Sequence, residues 1–238
     1  MTVSCIDISH HQGDIDFVRV RKSGVVAMIH KATEGSSFID DMRENNIINA
    51  TNAGIACCTY HWLSPGSNVE SQMKFYLDVV QPVHGERLVI DYEQDGCTLS
   101  DLKEAVQYLL DQRKDYQITV YSGHLLKEQL GSKKDPFLAE NTDLWLAQYT
   151  SGTPSWSYET YPSWTLWQYS EEGQIDGIDD AYVDLNRFDG TDKELVEWIS
   201  PKGGSIAPRP DQDNEVVVDI TAPDGVTVTV KVNGVEVS

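Results

Sequence analysis

Residues 87–96 read RLVIDYEQDG. A short apolar run, Leu88, Val89 and Ile90, ends in two carboxylates, Asp91 and Glu93, with Tyr92 between them. Acids placed at the end of an apolar run cost free energy, through desolvation and through mutual repulsion. An apolar run without alternation fits a strand covered on both faces, as in a parallel sheet flanked by helices. Side chains two apart on a strand point the same way, roughly 6–7 Å apart along the chain. Asp91 and Glu93 therefore share a face.

Similar runs recur on either side. VSCIDIS (3–9), VVAMIHKATEG (25–35), IACCTYHW (55–62) and ITVYSG (118–123) read as strands. Helices are expected between them at 38–53, 68–80 and 99–114, the last with Ser100 as N-cap ahead of Leu102, Val106, Leu109 and Leu110. Strands alternating with helices predict a parallel sheet. After Lys134 the pattern changes: DLWLAQY (143–149), WTLWQYS (164–170) and AYVDLNRF (181–188) are strand-like but joined by loops and turns, and a helix at 191–199 closes the segment. Eight strands of this kind predict a closed barrel with an irregular second half, whose chemistry sits at the carboxyl ends of its strands.

The expected organisation is a barrel over 1–200, a Pro/Gly-rich linker over 201–215 and a small all-β appendage over 216–238. The appendage alternates through Val226, Val228, Val230 and Val232, and Asn233–Gly234 is a strong two-residue hairpin signal. A piece this short cannot bury a core alone, so its valine face predicts a partner: the barrel, or a second copy through residues 216–238.

The chain has 238 residues, 40% hydrophobic and 24% charged, the balance of a globular protein. Its formal charge of −20 argues against nucleic acid or an anionic membrane as partner. No apolar run reaches the roughly 20 residues a membrane-spanning helix needs. The opening MTVSCIDISHHQG lacks the basic start and apolar core of a signal peptide, so synthesis in a cytoplasm is expected, with any route out of it being something other than a standard signal. Cys5, Cys57, Cys58 and Cys97 form no CxxC pair and read as buried free thiols.

Two further acids interrupt strand runs, Asp7 in the first and Asp184 in the last. The first and last strands of a closed barrel are neighbours, so Asp7, Asp184, Asp91 and Glu93 are expected to converge on one cleft. Close acids do not titrate independently, and one holds its proton near neutral pH. A protonated acid beside an ionised one is the equipment for breaking a glycosidic bond. Tyr60, Trp62, Tyr121, Trp145, Tyr149, Trp167 and Tyr169 lie in or beside the strands, and their ring faces suit pyranose C–H faces. Gln148 and Gln168 can bond sugar hydroxyls. A metal-dependent hydrolase would need ligands from Asp7, His10, His11, His61, Asp91 and Glu93, but no H-x-H or H-E-x-x-H spacing occurs, and neither metal nor cofactor is expected. No G-x-S-x-G nucleophile motif is present.

DISHHQGDIDF, KATEG, YHW, DYE and the closing WQYSEEGQIDGIDDAYVDLNRF occur in an order that resembles the lysozymes of glycoside hydrolase family 25, a group with many bacteriophage endolysins. The resemblance spans about residues 3 to 199. It implies an irregular TIM-like (β/α)5(β)3 barrel of class α/β and N-acetylmuramidase activity on bacterial peptidoglycan, at the β-1,4 bond from N-acetylmuramic acid to N-acetylglucosamine. It implies Glu93 as proton donor and Asp91 as the neighbour that orients the substrate's N-acetyl group, with Asp7 and Asp184 as the other acids of the cleft. It makes Glu34 of KATEG a candidate for the rim, beside the substrate-binding candidates that their own chemistry suggests, Tyr60, Trp62, Tyr121, Gln148, Tyr149, Trp167 and Gln168. An endolysin would act on the wall after release from the host cytoplasm. The appendage matches no familiar wall-binding module. A catalytically inactive wall-binding protein on the same barrel is the alternative, although all four acids are present.

Overall fold

The computed structural model describes residues 3–156, 159–179, 181–202, 230–232 and 235–237. The chain divides into two compact units, Met1–Ser205 and Ile206–Ser238.

In the first unit the strands are β1 (Cys5–Ile8), β2 (Ala27–Glu34), β3 (Phe38–Ile39), β4 (Ala56–Trp62), β5 (Arg87–Asp91), β6 (Gln117–Ser122), β7 (Thr142–Ala147), β8 (Leu166–Gly173) and β9 (Val183–Phe188). The helices are α1 (Phe17–Lys22), α2 (Arg43–Asn52), α3 (Val69–Val80), α4 (Leu99–Gln112), α5 (His124–Leu130), α6 (Pro136–Asn141) and α7 (Asp192–Ile199). Eight strands close a ring in the order β1, β2, β4, β5, β6, β7, β8, β9, and β9 pairs back onto β1. All neighbours from β1 to β8 run parallel, each of the first five connections carrying helix. The last strand reverses: β9 is antiparallel to both β8 and β1. The nine-residue connection over 174–182, with no helix among its described residues, is too short to return the chain to the far end of the sheet, so it turns back instead.

Alternation along each strand separates two cores. Leu88 and Ile90 of β5 point outward with Val120, Leu144 and Leu146, under Leu102, Val106 and Leu109 of α4. Val89 points inward with Ile29, Cys58, Tyr121, Trp145 and Leu166, and Leu195 and Ile199 of α7 join that inner cluster. At the amino end of β5 the buried Arg87 donates to Asp143, Thr119, Gln117 and the Trp198 carbonyl, and its guanidinium stacks 3.8 Å from the Trp198 ring centroid. The inward residues of β5 are thus a cation held by four hydrogen bonds at one end, an apolar centre, and Asp91 at the other.

Three local expectations change. Residues 38–39 are not the start of a helix but a short arm antiparallel to the end of β2, with Glu34 opposite Phe38. Gly35, at φ +55°, makes the turn that sends the chain back, and helix begins only at Arg43. The helix at 99–112 is capped by Thr98, not Ser100. Its hydroxyl accepts from the Asp101 N–H, and Asp101 accepts in return from the Thr98 N–H. Two short helices, α5 and α6, precede β7. The four cysteines are free, and burial pushes the Cys57 thiol up to about 12.

In the second unit, β10 (Val230–Val232) pairs antiparallel with β11 (Val235–Val237), Val232 opposite Val235. The two residues between them, Asn233 and Gly234, lie outside the described residues, as do Val226 and Val228 and the linker from 203 onward.

Candidate active site

The acids meet because strand parity and the reversed last strand both aim them at one rim. Asp91 is the last residue of β5 and faces inward, 5% exposed. The ladder continues one residue further, the Tyr92 N–H donating to the Tyr121 carbonyl, so Tyr92 turns outward and Glu93 returns to the cleft. On β1, Asp7 is directly opposite Asp184. Asp184 is the second residue of β9, and only because that strand runs backward does its beginning reach the rim where the other strands end.

Burial first, then the neighbouring Glu93 charge, holds the Asp91 carboxyl well above the ordinary range, and the Lys31 cation opposes this. One Asp91 oxygen, Oδ1, is buried with no hydrogen-bond partner in the structure. Glu93 is raised by burial and next by Asp184, again against Lys31. Burial is the first cause of an upward shift at both Asp7 and Asp184; the Asp184 charge and their mutual hydrogen bond raise Asp7 further while that bond lowers Asp184, and the Asn186 and Gln168 amides pull Asp7 back down.

Asp7 has further partners. Gln168 Nε2 donates to both its oxygens at 3.1 Å, and Asn186 Nδ2 donates to Oδ2 at 2.7 Å. Gln168 Oε1 accepts from the Tyr121 and Tyr149 hydroxyls at 2.8 and 2.9 Å, while Asn186 Oδ1 accepts from the Trp145 indole N–H at 2.7 Å. A groove of about 300 Å³ runs beside Glu93, lined by Tyr121, Gly123, Ala147, Gln148 and Tyr149. Opposite, Lys31 Nζ lies 2.6 Å from Glu34 Oε2 and 5.0 and 5.4 Å from the ring centroids of Trp62 and Phe38. The Trp62 indole N–H donates to Gln94 Oε1 at 2.9 Å, and Tyr60 packs against the inner core with its phenol raised by burial and then by Asp91.

The structure therefore brings together Asp7, Asp91, Glu93, Asp184, Tyr121, Gln148, Tyr149 and Gln168, with Tyr60, Trp62 and Glu34 on the Lys31 side. It does not bring Trp167 there. That side chain is one position out of phase with Gln168, so it lies 4% exposed in the outer core, its ring 5.8 Å from Trp164 and its N–H on the Gln148 carbonyl. The metal-ligand set is likewise divided: His61 points outward to Thr33 and Gln72, and His10 Nδ1 is 2.9 Å from Asp40 Oδ2. Sequence reasoning missed Lys31 and Asn186. Each carried a signal, a lysine inside a buried strand run and an amide two residues beyond Asp184 on the same face.

The profile of the family described as Glycosyl hydrolases family 25 matches residues 6–178. YegX of Escherichia coli is 30% identical over 217 residues, covering 83% of this chain and 74% of that protein. Lysozyme M1 of Streptomyces globisporus is 26% identical over 210 residues, with 82% and 70% covered. The solved bacterial lysozyme from Streptomyces coelicolor superposes with a TM-score of 0.71 at 26% identity, over 84% of this chain and 97% of that one.

Proposed function

This chain belongs to glycosyl hydrolase family 25 and is a glycoside hydrolase of lysozyme type, and from that premise we propose that it cleaves the β-1,4 bond between N-acetylmuramic acid and N-acetylglucosamine in bacterial peptidoglycan. The observation that carries the reading is the convergence of Asp7, Asp91, Glu93 and Asp184 in one cleft, where burial raises all four carboxyls.

In the proposed step Glu93, half-buried beside the groove, gives its proton to the glycosidic oxygen as the C1–O bond breaks. The substrate's own N-acetyl oxygen forms the new bond to C1. Positive charge then develops on the acetamido nitrogen, and the buried Asp91 holds that N–H and balances its charge. In the second half water adds to C1 as the bond from C1 to the N-acetyl oxygen breaks and the acetamido group is restored, and Glu93 takes the proton that the water loses. Tyr121, Tyr149 and Gln148 along the groove offer ring faces and hydroxyl partners to the sugars. Residues 216–238 are proposed as a separate element for wall adhesion or self-association.

End-group analysis of digested, purified peptidoglycan tests the bond: new reducing ends on muramic acid support the reading, and new ends on glucosamine overturn it. Glu93→Gln, which cannot donate the proton, is expected to lose roughly 10²–10⁴-fold in turnover while remaining folded. Wild-type turnover in that variant removes Glu93 from the mechanism.

A further inference from the structure

Asp7 and Asp184 are register partners across β1 and β9, and the hydrogen bonds on Asp7 run back to Trp145. An indole N–H can only donate, so Trp145 Nε1, 2.7 Å from Asn186 Oδ1, fixes which end of that amide faces the barrel centre. Asn186 must then present its NH2 to Asp7 Oδ2, as observed at 2.7 Å. The Gln168 amide adds contacts to both Asp7 oxygens, and its own carbonyl is engaged by the Tyr121 and Tyr149 hydroxyls. Tyr121 in turn meets the Trp145 ring edge-on, 4.6 Å between centroids. Both amides that reach Asp7 are thus braced by the Trp145–Tyr121 pair. Burial and the mutual bond favour a proton on Asp7, but three donor contacts aimed at its oxygens oppose them: donors stabilise the ionised form of a carboxyl, and hydrogen bonds to a charged acceptor are about twice as strong as neutral ones.

We propose that the Asp7–Asp184 proton resides on Asp184, and that Trp145 and Asn186 are positioning residues that place it there by committing Asp7 to the anionic form. Their contribution to catalysis rests on the glycosidase reading above, but the location of the proton does not. The groups facing the pair are Asp91 and Glu93 at the end of β5, Glu171 on β8, the phenols of Tyr60, Tyr121 and Tyr149, and the buried Cys5 thiol. The Asp184 anion is one of the groups that raise Glu93, so a proton on Asp184 withdraws that part of the shift. Loss of that proton at higher pH restores the anion.

The test is carboxyl-carbon NMR of full-length protein labelled with 13C-aspartate, assigned with Asp7→Asn and Asp184→Asn and titrated from acid to neutral pH. The wild type is expected to show an ionised Asp7 and a protonated Asp184 near pH 6. In Trp145→Phe, which keeps the ring but not the donor, the Asn186 amide can turn over and the proton spreads onto Asp7. Asn186→Leu serves the same purpose should Trp145→Phe fail to fold. A proton on Asp7 in the wild type, or an unchanged pattern in the folded variant, overturns the proposal. In activity, Trp145→Phe is expected to lower kcat roughly tenfold with KM within about twofold, and to shift the alkaline limb of the kcat profile. If the protein cleaves no peptidoglycan yet Asp184 holds the proton, the function reading fails and this inference stands.

Discussion

Asp91→Asn should make the protein more stable and less active, and the stability gain should depend on pH. Asp91 is 5% exposed, and its Oδ1 has no hydrogen-bond partner in the structure. A buried unsatisfied polar atom costs about 1–3 kcal/mol, more when charged. Burial and the Glu93 charge raise this carboxyl in the fold, and Lys31 offsets only part of that. An acid whose folded pKa is raised contributes fully below its unfolded pKa of about 4, and that contribution is lost as pH rises through the folded value. At pH 7 Asp91 is therefore a net cost, and a neutral amide of the same shape, which still leaves one polar atom unpaired, relieves the charge part of that cost, about 2 kcal/mol. For a domain of this size that is a rise in Tm of about 4–8 °C. Calorimetric melts of wild type and variant, run side by side from pH 7 to pH 3.5, read the difference directly. The gap should be full at pH 7 and close toward pH 3.5, where the wild-type carboxyl is protonated in both states. Peptidoglycan turnover should meanwhile fall roughly 10²–10³-fold, the usual effect of removing one preorganised electrostatic partner. A variant less stable at pH 7, or a gap of constant size at all pH values, refutes the reasoning.

Other outcomes follow from groups outside the cleft. Burial lowers His61 from 6.5 to about 4, so its contribution is full above pH 6.5 and is lost as pH falls toward 4, about 3 kcal/mol in all. Denaturant melts across that window should show a steeper acid-side loss in wild type than in His61→Gln. Arg87→Met strands the Thr119, Gln117 and Trp198 acceptors at the closed end of the barrel and should cost about 3–5 kcal/mol in urea melts. Its kcat below the transition should stay near wild type, because the cleft is at the other end. Removing residues 205–238 should leave bond cleavage intact while changing solution mass by light scattering or adhesion to purified walls. No change in either property sinks the proposed role of the appendage.

Period-2 alternation made much of the barrel readable in advance. Val89 and Asp91 share a face, as do Asp184 and Asn186, because neighbouring side chains on any strand oppose each other. Capping chemistry was less readable at 98–101, where Thr98 and Ser100 both suit an N-cap and only the Asp101 return bond selects Thr98. The arm at 38–39 was hidden because its two residues gain their partners from β2, far along the fold and not from the local chain. Trp167 and Gln168 show the limit most plainly. Sequence places them side by side in one strand, and only the register of β8 sends one to the outer core and the other to Asp7.

By itself, the sequence determined the strand and helix alternation, the inward parity of each acid, and the family motifs, since all of these are local or periodic properties of the chain. Tertiary structure alone decided that β9 runs backward and so lifts Asp184 to the rim. It also set Lys31 between Trp62 and Phe38, and it routed a Trp145 donor through Asn186 onto Asp7. These depend on strand direction and register around a closed ring, where residues 41 and 179 positions apart become hydrogen-bond partners. No window along the chain carries that information.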